Sequence, residues 1–451
     1  MTRNVIIHQV NDWSVLNSKD EVWTKIDLST PDVNFGIHRF QGKLWSSGYV
    51  GVGRLYDKNG RHLQSGGKEH IIVVTSQYGM DPWQMLETVM TDDEYDDYIA
   101  EMDADGKSLF HVFYDQPLIK LSQDTEQNGE LLYALNFSAS CYNLCRKGVK
   151  KTMFHQEENY ASKVRGKIEI KKNIRMNTCK GRNDRFYCKY IDFTEDNVEN
   201  RILKATLLKC KDIIGRRFTP TSEVSKRMAY CQNAFRRVKT VQIKTSDFNG
   251  ADASGLYMYY KPLLQQARCI YEQKYYTFKS EDGQSITKSV FTIPYMINME
   301  SLFEFYARIV LKRSINTDKY SLDRYSKRLY IQKNVKDISE VERGIHLMPY
   351  CIPDIIICEN ESRKPIAVID AKYKPNTLSS RSDTHQLLSY VLLTDVKRCG
   401  FVFPGEYCRA KIMDTTETSS LPLAVNSLNY YELILGNDID NVSEALKQIL
   451  P

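Results

Sequence analysis

Two aspartates and a lysine near the C-terminal end of the sequence have types and spacing that suit acid–base or metal chemistry. They lie in "CIPDIIICENESRKPIAVIDAKYKP", where two apolar runs flank a polar turn. If 354–358 and 366–370 are the strands of one hairpin, Asp354 lies opposite Asp370 or the residue before it, about 5 Å away at Cα. Alternation along the strand then places Lys372 on the face of Asp370. The hairpin therefore predicts two carboxylates and an ammonium at one end of a sheet.

Carboxylates placed side by side repel each other, and a bound cation removes the repulsion. A small set of oxygen ligands suits Mg²⁺, or Mn²⁺, better than zinc. The Lys372 ammonium can hold and polarise a water molecule, and a metal with a lysine can activate water against a phosphodiester. The competing interpretation is a hairpin whose Asp and Lys side chains are only the solvated ends of strands.

Three further side chains are candidates for the same site. Gln386 and Tyr390 are four residues apart in "DTHQLLSY", so they share one face of a helix that follows the strand bearing Asp370. They could equally be a buried amide and a phenol at the edge of the core. Glu304 stands among aromatic residues in "SLFEFYARIV", where an acid needs a metal or a lysine nearby, unless it simply faces solvent.

The pattern of apolar and charged residues divides the chain into three regions. Residues 1–150 are predicted to be β-rich, with alternation in "SSGYVGVGRLYDKNGRHLQ" and a buried strand in "EHIIVVTSQ". Residues 151–285 are basic and mix strand and helix patterns. Residues 286–451 show the order helix, strands, helix, strand, which is typical of a small α/β unit. The predicted fold class is α/β, with a β-rich and mixed α+β region in front.

Three stretches of the middle region give local expectations. "KVRGKIEIKKNI" alternates like a strand, and "CKGRNDRFYCKY" is predicted to be a cationic loop. "TEDNVENRILKATLLKCKDII" predicts a helix that Thr194 caps. Within that helix, Asn200 and Arg201 could face a partner, although an Asn-Arg pair near a helix start is often structural.

The charge distribution bears on partners. The net charge is only +6, yet residues 146–244 hold more than twice as many basic as acidic residues. A basic block suggests a polyanion, commonly nucleic acid, or an acidic protein surface. The plainer interpretation is a set of solvated helix faces.

Other features exclude classes of protein. No apolar run approaches the roughly 20 residues of a membrane span, and the N-terminal run is too short for a signal peptide. The eleven cysteines include no C-x-x-C pair, and Cys141 and Cys145 lack a second pair, so no zinc site is predicted. Unpaired cysteines favour a reducing cytoplasm. "GYVGVGRL" and "SGGKEH" do not complete a dinucleotide fingerprint or a P-loop.

The candidate residues together resemble the PD-(D/E)xK nuclease superfamily. The residues that carry this resemblance are Pro353-Asp354, Asp370-Ala371-Lys372, and Gln386 with Tyr390. More narrowly, the chain resembles the McrC family, the nuclease subunits of McrBC and LlaJI-type GTP-dependent restriction systems. The matching stretches are "KVRGKIEI", "EDNVENRILKATL", "PYMINMESLFEFYARIVL", "PDIIIC…AVIDAKYK" and "DTHQLLSYVLL". One position departs from the family pattern, because Asn298 stands where an acid is favoured, although Asn also caps helices.

This resemblance implies a Mg²⁺-dependent DNA endonuclease with a restriction-endonuclease-like C-terminal domain, a mixed sheet flanked by helices. The catalytic residues that it implies are Asp354, Asp370, Lys372, Glu304, Gln386 and Tyr390. The metal ligands that it implies are Asp354, Asp370 and the backbone carbonyl of Ala371. Cleavage of double-stranded DNA would leave 5′-phosphate and 3′-hydroxyl ends.

The resemblance also implies a partner. Residues 1–150 would dock on a hexameric AAA+ GTPase of the McrB type and stimulate its GTP hydrolysis, so GTP would be used only through that partner. Two other functions remain open: a non-cleaving subunit that activates an AAA+ NTPase, and a stand-alone repair nuclease.

Overall fold

The structure is a computed structural model, and it divides into two compact units. It describes residues 5–17, 21–29, 33–90, 92–104, 108–114, 116–117, 119–121, 129–216, 218–251, 253–276, 290–324, 329–330, 350–374, 381–413, 428–436 and 441–451. Unit 1 combines Met1–Phe113 with Pro294–Pro451, and unit 2 is Tyr114–Ile293. No helix in these described ranges is both long enough and apolar enough to cross a membrane.

The strands of the described residues are short, and most belong to two six-stranded sheets. In chain order they are β1 Val5–Asn11, β2 Val15–Leu16, β3 His38–Phe40, β4 Lys43–Trp45, β5 Tyr49–Arg54, β6 Gln64–Ser65, β7 Lys68–Thr75, β8 Phe110–Val112, β9 Ile119–Leu121, β10 Thr152–Ala161, β11 Lys167–Ile168, β12 Arg185–Thr194, β13 Val290–Thr292, β14 Tyr295–Asn298, β15 Tyr320–Leu322, β16 Leu329–Tyr330, β17 Tyr350–Cys351, β18 Ile355–Glu359, β19 Pro365–Ala371, β20 Arg398–Pro404, β21 Arg409–Met413 and β22 Asn429–Leu435.

The helices range from single turns to five turns. They are α1 Val22–Lys25, α2 Pro82–Met90, α3 Tyr95–Ala104, α4 Gly129–Lys147, α5 Ile170–Met176, α6 Val198–Ile214, α7 Glu223–Ala234, α8 Thr245–Asn249, α9 Tyr260–Tyr276, α10 Met299–Ser314, α11 Arg381–Thr394 and α12 Val442–Ile449. Short 3₁₀ segments are Val33–Gly36, Thr178–Lys180 and Gly255–Tyr257.

One sheet of unit 1 combines strands from both ends of the chain. Its order is β1-β7-β5-β14-β8, with β6 on β7, and β1 runs parallel to β7 while the other pairs are antiparallel. Gly51 of β5 has φ +150°, and a Cβ there would lie 2.2 Å from the backbone oxygen of Tyr295 in β14. Gly51 of "GYVGVGRL" thus allows β5 and β14 to pack closely.

The second sheet of unit 1 is mixed and carries the predicted hairpin. Its order is β15-β18-β19-β20-β22-β21, with β19, β20 and β22 parallel and the outer pairs antiparallel. On one face, Leu387 and Tyr390 of α11 pack into a core with Val368 and Phe401. On the other face, Ile449 of α12 lines a small gap with strand residues of β19, β20 and β22. The predicted α/β class, a mixed sheet flanked by helices, is confirmed.

Unit 2 combines a helical core with a long antiparallel ribbon. Helices α4, α6, α7 and α9 pack on one another. Strands β10 and β12 pair over ten positions each, and β11 adds to β12. A short pair, β9 with β13, completes the described part of this unit.

The compact units differ from the regions drawn at 150 and 285. The β-rich segment ends near Leu121, and α4 belongs to the helical core of unit 2. Strand β14 pairs with β5 and β8, so the chain returns to the N-terminal sheet just before α10 begins. Pairing between segments that are far apart in sequence leaves no local pattern, and the predicted regions therefore follow chain order.

Most predicted elements are present, and three local expectations in the middle region are wrong. The helix α6 is capped by the Asn197 side chain, which accepts from Asn200, instead of by Thr194. Only Lys167–Ile168 of "KVRGKIEIKKNI" is a strand, and a helix follows from Ile170. Only part of the predicted cationic loop is a loop, because strand β12 begins within it at Arg185. The stretch "KRLYIQK" also has the pattern of a strand, and its two described residues form β16.

Candidate active site

The hairpin of β18 and β19 has the register predicted from the sequence. Ile355 pairs with Ile369 and Ile356 with Val368, so Asp354, one residue before β18, lies opposite Asp370. A shift in register follows Ile357, at the end of the hairpin away from the acids. Four consecutive residues on each strand are buried, so both faces of this hairpin are covered.

Asp370 is buried at the end of β19, and its charge is only partly matched. One oxygen, Oδ2, lies 2.6 Å from the Lys372 Nζ, whereas Oδ1 accepts no hydrogen bond in the described part of the chain. The residue is 0% exposed. Burial raises the pKa of Asp370 above its ordinary value, and the Lys372 ammonium offsets part of that effect. A buried carboxylate oxygen without a donor is a position where a cation fits.

Asp354 is the second acid of the pair. Its Oδ2 accepts a 2.7 Å hydrogen bond from the backbone N–H of Ala371. Burial, followed by the charges of Glu304 and Asp370, raises the pKa of Asp354 well above its ordinary value. Ala371 therefore contributes its amide to the site, whereas a metal contact by its carbonyl stays a prediction.

Glu304 reaches the same site from helix α10. Asn298 caps this helix by accepting from the backbone N–H of Ser301, as the sequence allowed. Glu304 is partly buried between Phe303 and Phe305, which are fully buried, and its charge acts on Asp354. The charge of this helix residue thus adds to the charges of the two acids of the hairpin.

Lys372 is held by groups on both sides. Its side chain is 19% exposed, and its Nζ donates to Gln386 Oε1 at 3.3 Å as well as facing Asp370. Burial lowers the pKa of Lys372, but the charges of Asp370 and Asp354 together raise it by more. The pKa of Lys372 therefore lies above its ordinary value. The side chain is therefore an ammonium at neutral pH, suited to orienting a nucleophile and stabilising negative charge.

Helix α11 supplies the outer part of the site. The amide Nε2 of Gln386 donates to the Tyr390 hydroxyl at 2.5 Å, and that hydroxyl donates to the backbone oxygen of Ile352 at 2.9 Å. Tyr390 is buried, and burial raises its pKa. On the same helix, His385 is exposed and Asp383 forms an ion pair with Lys374. Gln386 is thus positioned between the lysine and a buried phenol.

Tyr373, the next residue after Lys372, anchors this end of the sheet to the N-terminal part of unit 1. Its hydroxyl donates to Asp12 Oδ2 at 2.7 Å and lies 3.0 Å from the Ser76 Oγ. Asp12 is 0% exposed and also accepts from the backbone N–H of Gln77 at 2.9 Å. Burial raises the pKa of Asp12 to about 6, against the hydrogen bonds that lower it.

The strand register and direct contacts join five of the predicted side chains, and Glu304 acts on them through its charge on Asp354. Asp354, Asp370 and Glu304 could hold a hard cation, and their oxygens are the donors that Mg²⁺ and Mn²⁺ prefer. With all three ionised and Lys372 charged, the cluster carries two excess negative charges, which one divalent cation would neutralise. The chemical nature of the donors and the unmatched oxygen of Asp370 both fit such a cation.

Two pairs of residues differ from the sequence-based predictions: one pair was not predicted, and the role of the other pair was left open. Asp12 and Tyr373 were missed, because no local pattern links residues so far apart in the chain. Asn200 is fully buried and donates to the backbone oxygens of Lys150 and Glu195, which supports its structural interpretation. Arg201 makes paired bonds of 2.7 and 2.8 Å to Asp196.

Comparison with known proteins gives one family and several similar structures. A model of the McrBC 5-methylcytosine restriction system component family matches residues 112–404, well over half of the chain. A refined half-complex from a tetradecameric assembly of Thermococcus gammatolerans McrB AAA+ hexamers with bound McrC is 13% identical, with 99% of this chain and 100% of that chain covered and a TM-score of 0.39. A cryo-EM structure of the Thermococcus gammatolerans McrBC complex is also 13% identical, with 69% and 89% covered and a TM-score of 0.30. No curated protein sequence matches the chain.

Proposed function

The chain belongs to the McrBC 5-methylcytosine restriction system component family, and from this premise we propose that it is the DNA endonuclease subunit of such a system. The observation that carries the proposal is the position of Asp370. Its buried carboxylate lies opposite Asp354 in the strand register and 2.6 Å from the Lys372 ammonium. This arrangement of two acids and a lysine is the one that the PD-(D/E)xK resemblance implies for phosphodiester hydrolysis.

In the proposed reaction, the acids, the lysine and the residues around them have different roles. Asp354, Asp370 and Glu304 would hold Mg²⁺, or Mn²⁺, which when bound neutralises charge on the scissile phosphate and lowers the pKa of water. Lys372 orients the attacking water and stabilises the negative charge that develops on the phosphate. Gln386 keeps the lysine in place through the 3.3 Å contact, and Tyr390 keeps Gln386 in place. The amide of Ala371 orients Asp354.

We propose further that the chain works with an AAA+ GTPase hexamer of the McrB type and stimulates its GTP hydrolysis. The sequence offers no P-loop of its own, so GTP would be bound by that partner. Docking by residues 1–150 stays a prediction, and unit 2 supports a further protein contact at the open end of its ribbon, where Met153, Ile191 and Phe193 are 66%, 55% and 60% exposed. Met153 pairs with Phe193, and Ile191 lies two residues along, so all three share one face. Clustered exposed apolar residues are typical of protein interfaces.

A cleavage assay tests the proposal. The purified chain is incubated with Mg²⁺, GTP, and plasmid that is either unmodified or cytosine-methylated, with and without the GTPase. We expect the wild type to cut only with the partner and Asp370→Asn to lose cleavage by at least a thousandfold. Glu361→Gln, an exposed acid in the turn of the same hairpin, is the matched control and should cut normally.

The other outcomes separate the alternatives. Cleavage that survives Asp370→Asn would overturn the catalytic assignment. A wild type that stimulates GTP hydrolysis but never cuts would make the chain a non-cleaving activator. A wild type that cuts fully without the GTPase would make it a stand-alone nuclease.

A further inference from the structure

Three cysteines converge inside unit 2, away from the site described above. Cys141 and Cys145 lie one turn apart on one face of α4, and Cys231 lies on α7, which packs against α4. Their Sγ atoms are all within 4.8 Å of one another. The three residues are 0%, 7% and 0% exposed. Within the described ranges, this is the one place where three ligand-bearing side chains of the kind that bind metals meet this closely.

Packing alone explains a single buried thiol, because cysteine behaves as a small apolar residue. Cys188 and Cys210 are buried in this way outside the cluster. In the cluster, by contrast, the thiols interact with one another. Each Sγ atom lies within 4.8 Å of the other two, so one cation can lie within reach of all three. The thiolate is the form of cysteine that binds metal ions.

The spacing is close to that of a thiolate metal site. A Zn–S bond of about 2.3 Å in a tetrahedral site places sulfur atoms about 3.8 Å apart. The three thiols therefore need to approach by no more than about 1 Å to share one cation. One turn before Cys141 and Cys231, the buried Ser138 Oγ lies 3.9 Å from the Met228 Sδ, so a thioether and a hydroxyl stand next to the cluster.

We propose that Cys141, Cys145 and Cys231 form a binding site for a thiophilic d¹⁰ cation, Zn²⁺ or Cu⁺, that ties helix α4 to helix α7. An all-sulfur donor set selects such soft cations over Mg²⁺ or Ca²⁺. Binding replaces the protons that the thiols carry and releases them to solvent, with no change in oxidation state. Since the unfolded chain does not hold the three thiols together, the cation stabilises the folded state of unit 2.

Metal analysis of the full chain tests this site. The protein is purified under reducing, anaerobic conditions, stripped with a chelator, offered one equivalent of Zn²⁺ or Cu⁺, and desalted. We expect about one cation retained per chain, a rise in melting temperature, and thiolate-to-metal charge-transfer absorption when Co²⁺ replaces Zn²⁺. Retention of Zn²⁺ indicates a fourth donor, whereas retention of Cu⁺ alone indicates a three-sulfur site.

Substitutions distinguish the cluster from other thiols. Cys231→Ser should weaken binding by at least about tenfold and abolish the metal-dependent rise in melting temperature. Cys145→Ser, the most exposed of the three, is the second variant if Cys231→Ser folds poorly. Cys210→Ser, equally buried on α6, and Cys179→Ser, an exposed thiol, are controls that should bind as the wild type does. A wild type that retains neither cation, or a Cys231→Ser variant that binds equally well, overturns the proposal.

Discussion

The Tyr373 hydroxyl donates a 2.7 Å hydrogen bond to the buried Asp12 carboxylate, although the two residues are 361 positions apart in the sequence. The tyrosine ring also packs on Phe303 of α10 and on Tyr78, with ring centroids 5.8 and 5.3 Å apart. Tyr373 directly follows Lys372, the proposed catalytic lysine. Residues at the edge of the N-terminal sheet of unit 1 therefore hold the chain in place immediately after β19, next to that lysine.

Removing the Tyr373 hydroxyl should affect both stability and cleavage. Tyr373→Phe leaves the buried Asp12 without one donor, and we expect a loss of about 1–3 kcal/mol in the free energy of unfolding. Cleavage should slow severalfold through kcat, with KM for DNA little changed, because Lys372 is less well fixed. Denaturant unfolding and steady-state cleavage measure the two effects. Tyr407→Phe, at an exposed position, is the control, and equal behaviour of both variants would contradict the anchoring role.

The buried Asp12 should make stability depend on pH. Its pKa is about 6 in the folded protein and 3.8 ordinarily, so below pH 3.8 both states hold the proton and the contribution to stability is complete. As pH rises through 6, the folded state must ionise a buried acid, and that contribution is lost. Asp12→Asn removes this dependence. The free energy of unfolding of Asp12→Asn minus that of the wild type should therefore increase by up to about 3 kcal/mol as the pH rises from about 4 to about 7. If this difference in unfolding free energy is the same at every pH in that range, Asp12 does not cause the pH dependence.

Divalent cations should stabilise the wild type through the acid cluster. Asp354→Asn keeps an oxygen that accepts the hydrogen bond from the Ala371 amide. It removes the negative charge of Asp354, which burial and the charges of Glu304 and Asp370 make unfavourable. At neutral pH without Mg²⁺, this variant should melt at a higher temperature than the wild type. With Mg²⁺, the wild type should gain about 2.7 kcal/mol at a concentration a hundred times the Kd, and the variant should gain little. Glu361→Gln should respond as the wild type does, and a full Mg²⁺ response by Asp354→Asn would refute the ligand assignment.

Gln386 should act on the reaction through Lys372. Gln386→Ala removes the 3.3 Å contact with the lysine and the 2.5 Å contact with Tyr390, and we expect cleavage to fall by about 10- to 100-fold. Because Gln386 is exposed, the melting temperature should change little. Cleavage rates are compared with those of His385→Ala, its exposed neighbour on α11. If Gln386→Ala cleaves DNA at the wild-type rate, Gln386 does not position Lys372.

The apolar end of the ribbon should contribute to binding of the GTPase. Phe193→Ser removes an exposed aromatic side chain of the kind that dominates protein interfaces, and we expect the affinity for the partner to fall by at least about tenfold. Stimulation of GTP hydrolysis should fall in parallel, while the melting temperature is retained. Tyr407→Ser, at a 75% exposed position of unit 1 outside residues 1–150, is the matched control. If both variants bind the partner equally well, the interface lies elsewhere.

Much of the candidate site could be predicted because its parts are local in sequence. The pairing of Asp354 with Asp370 follows from one hairpin, since strand alternation and a short turn fix the register. The shared face of Gln386 and Tyr390 follows from helical spacing. Their packing with Lys372 and Val368 could be anticipated because α11 directly follows β19. The contribution of the Ala371 amide could not, because a backbone donor carries no sequence signal.

The sequence by itself determined the α/β class of the C-terminal region, the hairpin and the residue types of the site, because strand and helix periodicities act over a few residues. The tertiary structure decided that β14 enters the N-terminal sheet, that Asp12 meets Tyr373, and that Cys231 joins Cys141 and Cys145. These contacts join segments separated by many tens to hundreds of residues. Burial and packing of whole elements select them, and no local pattern encodes that choice.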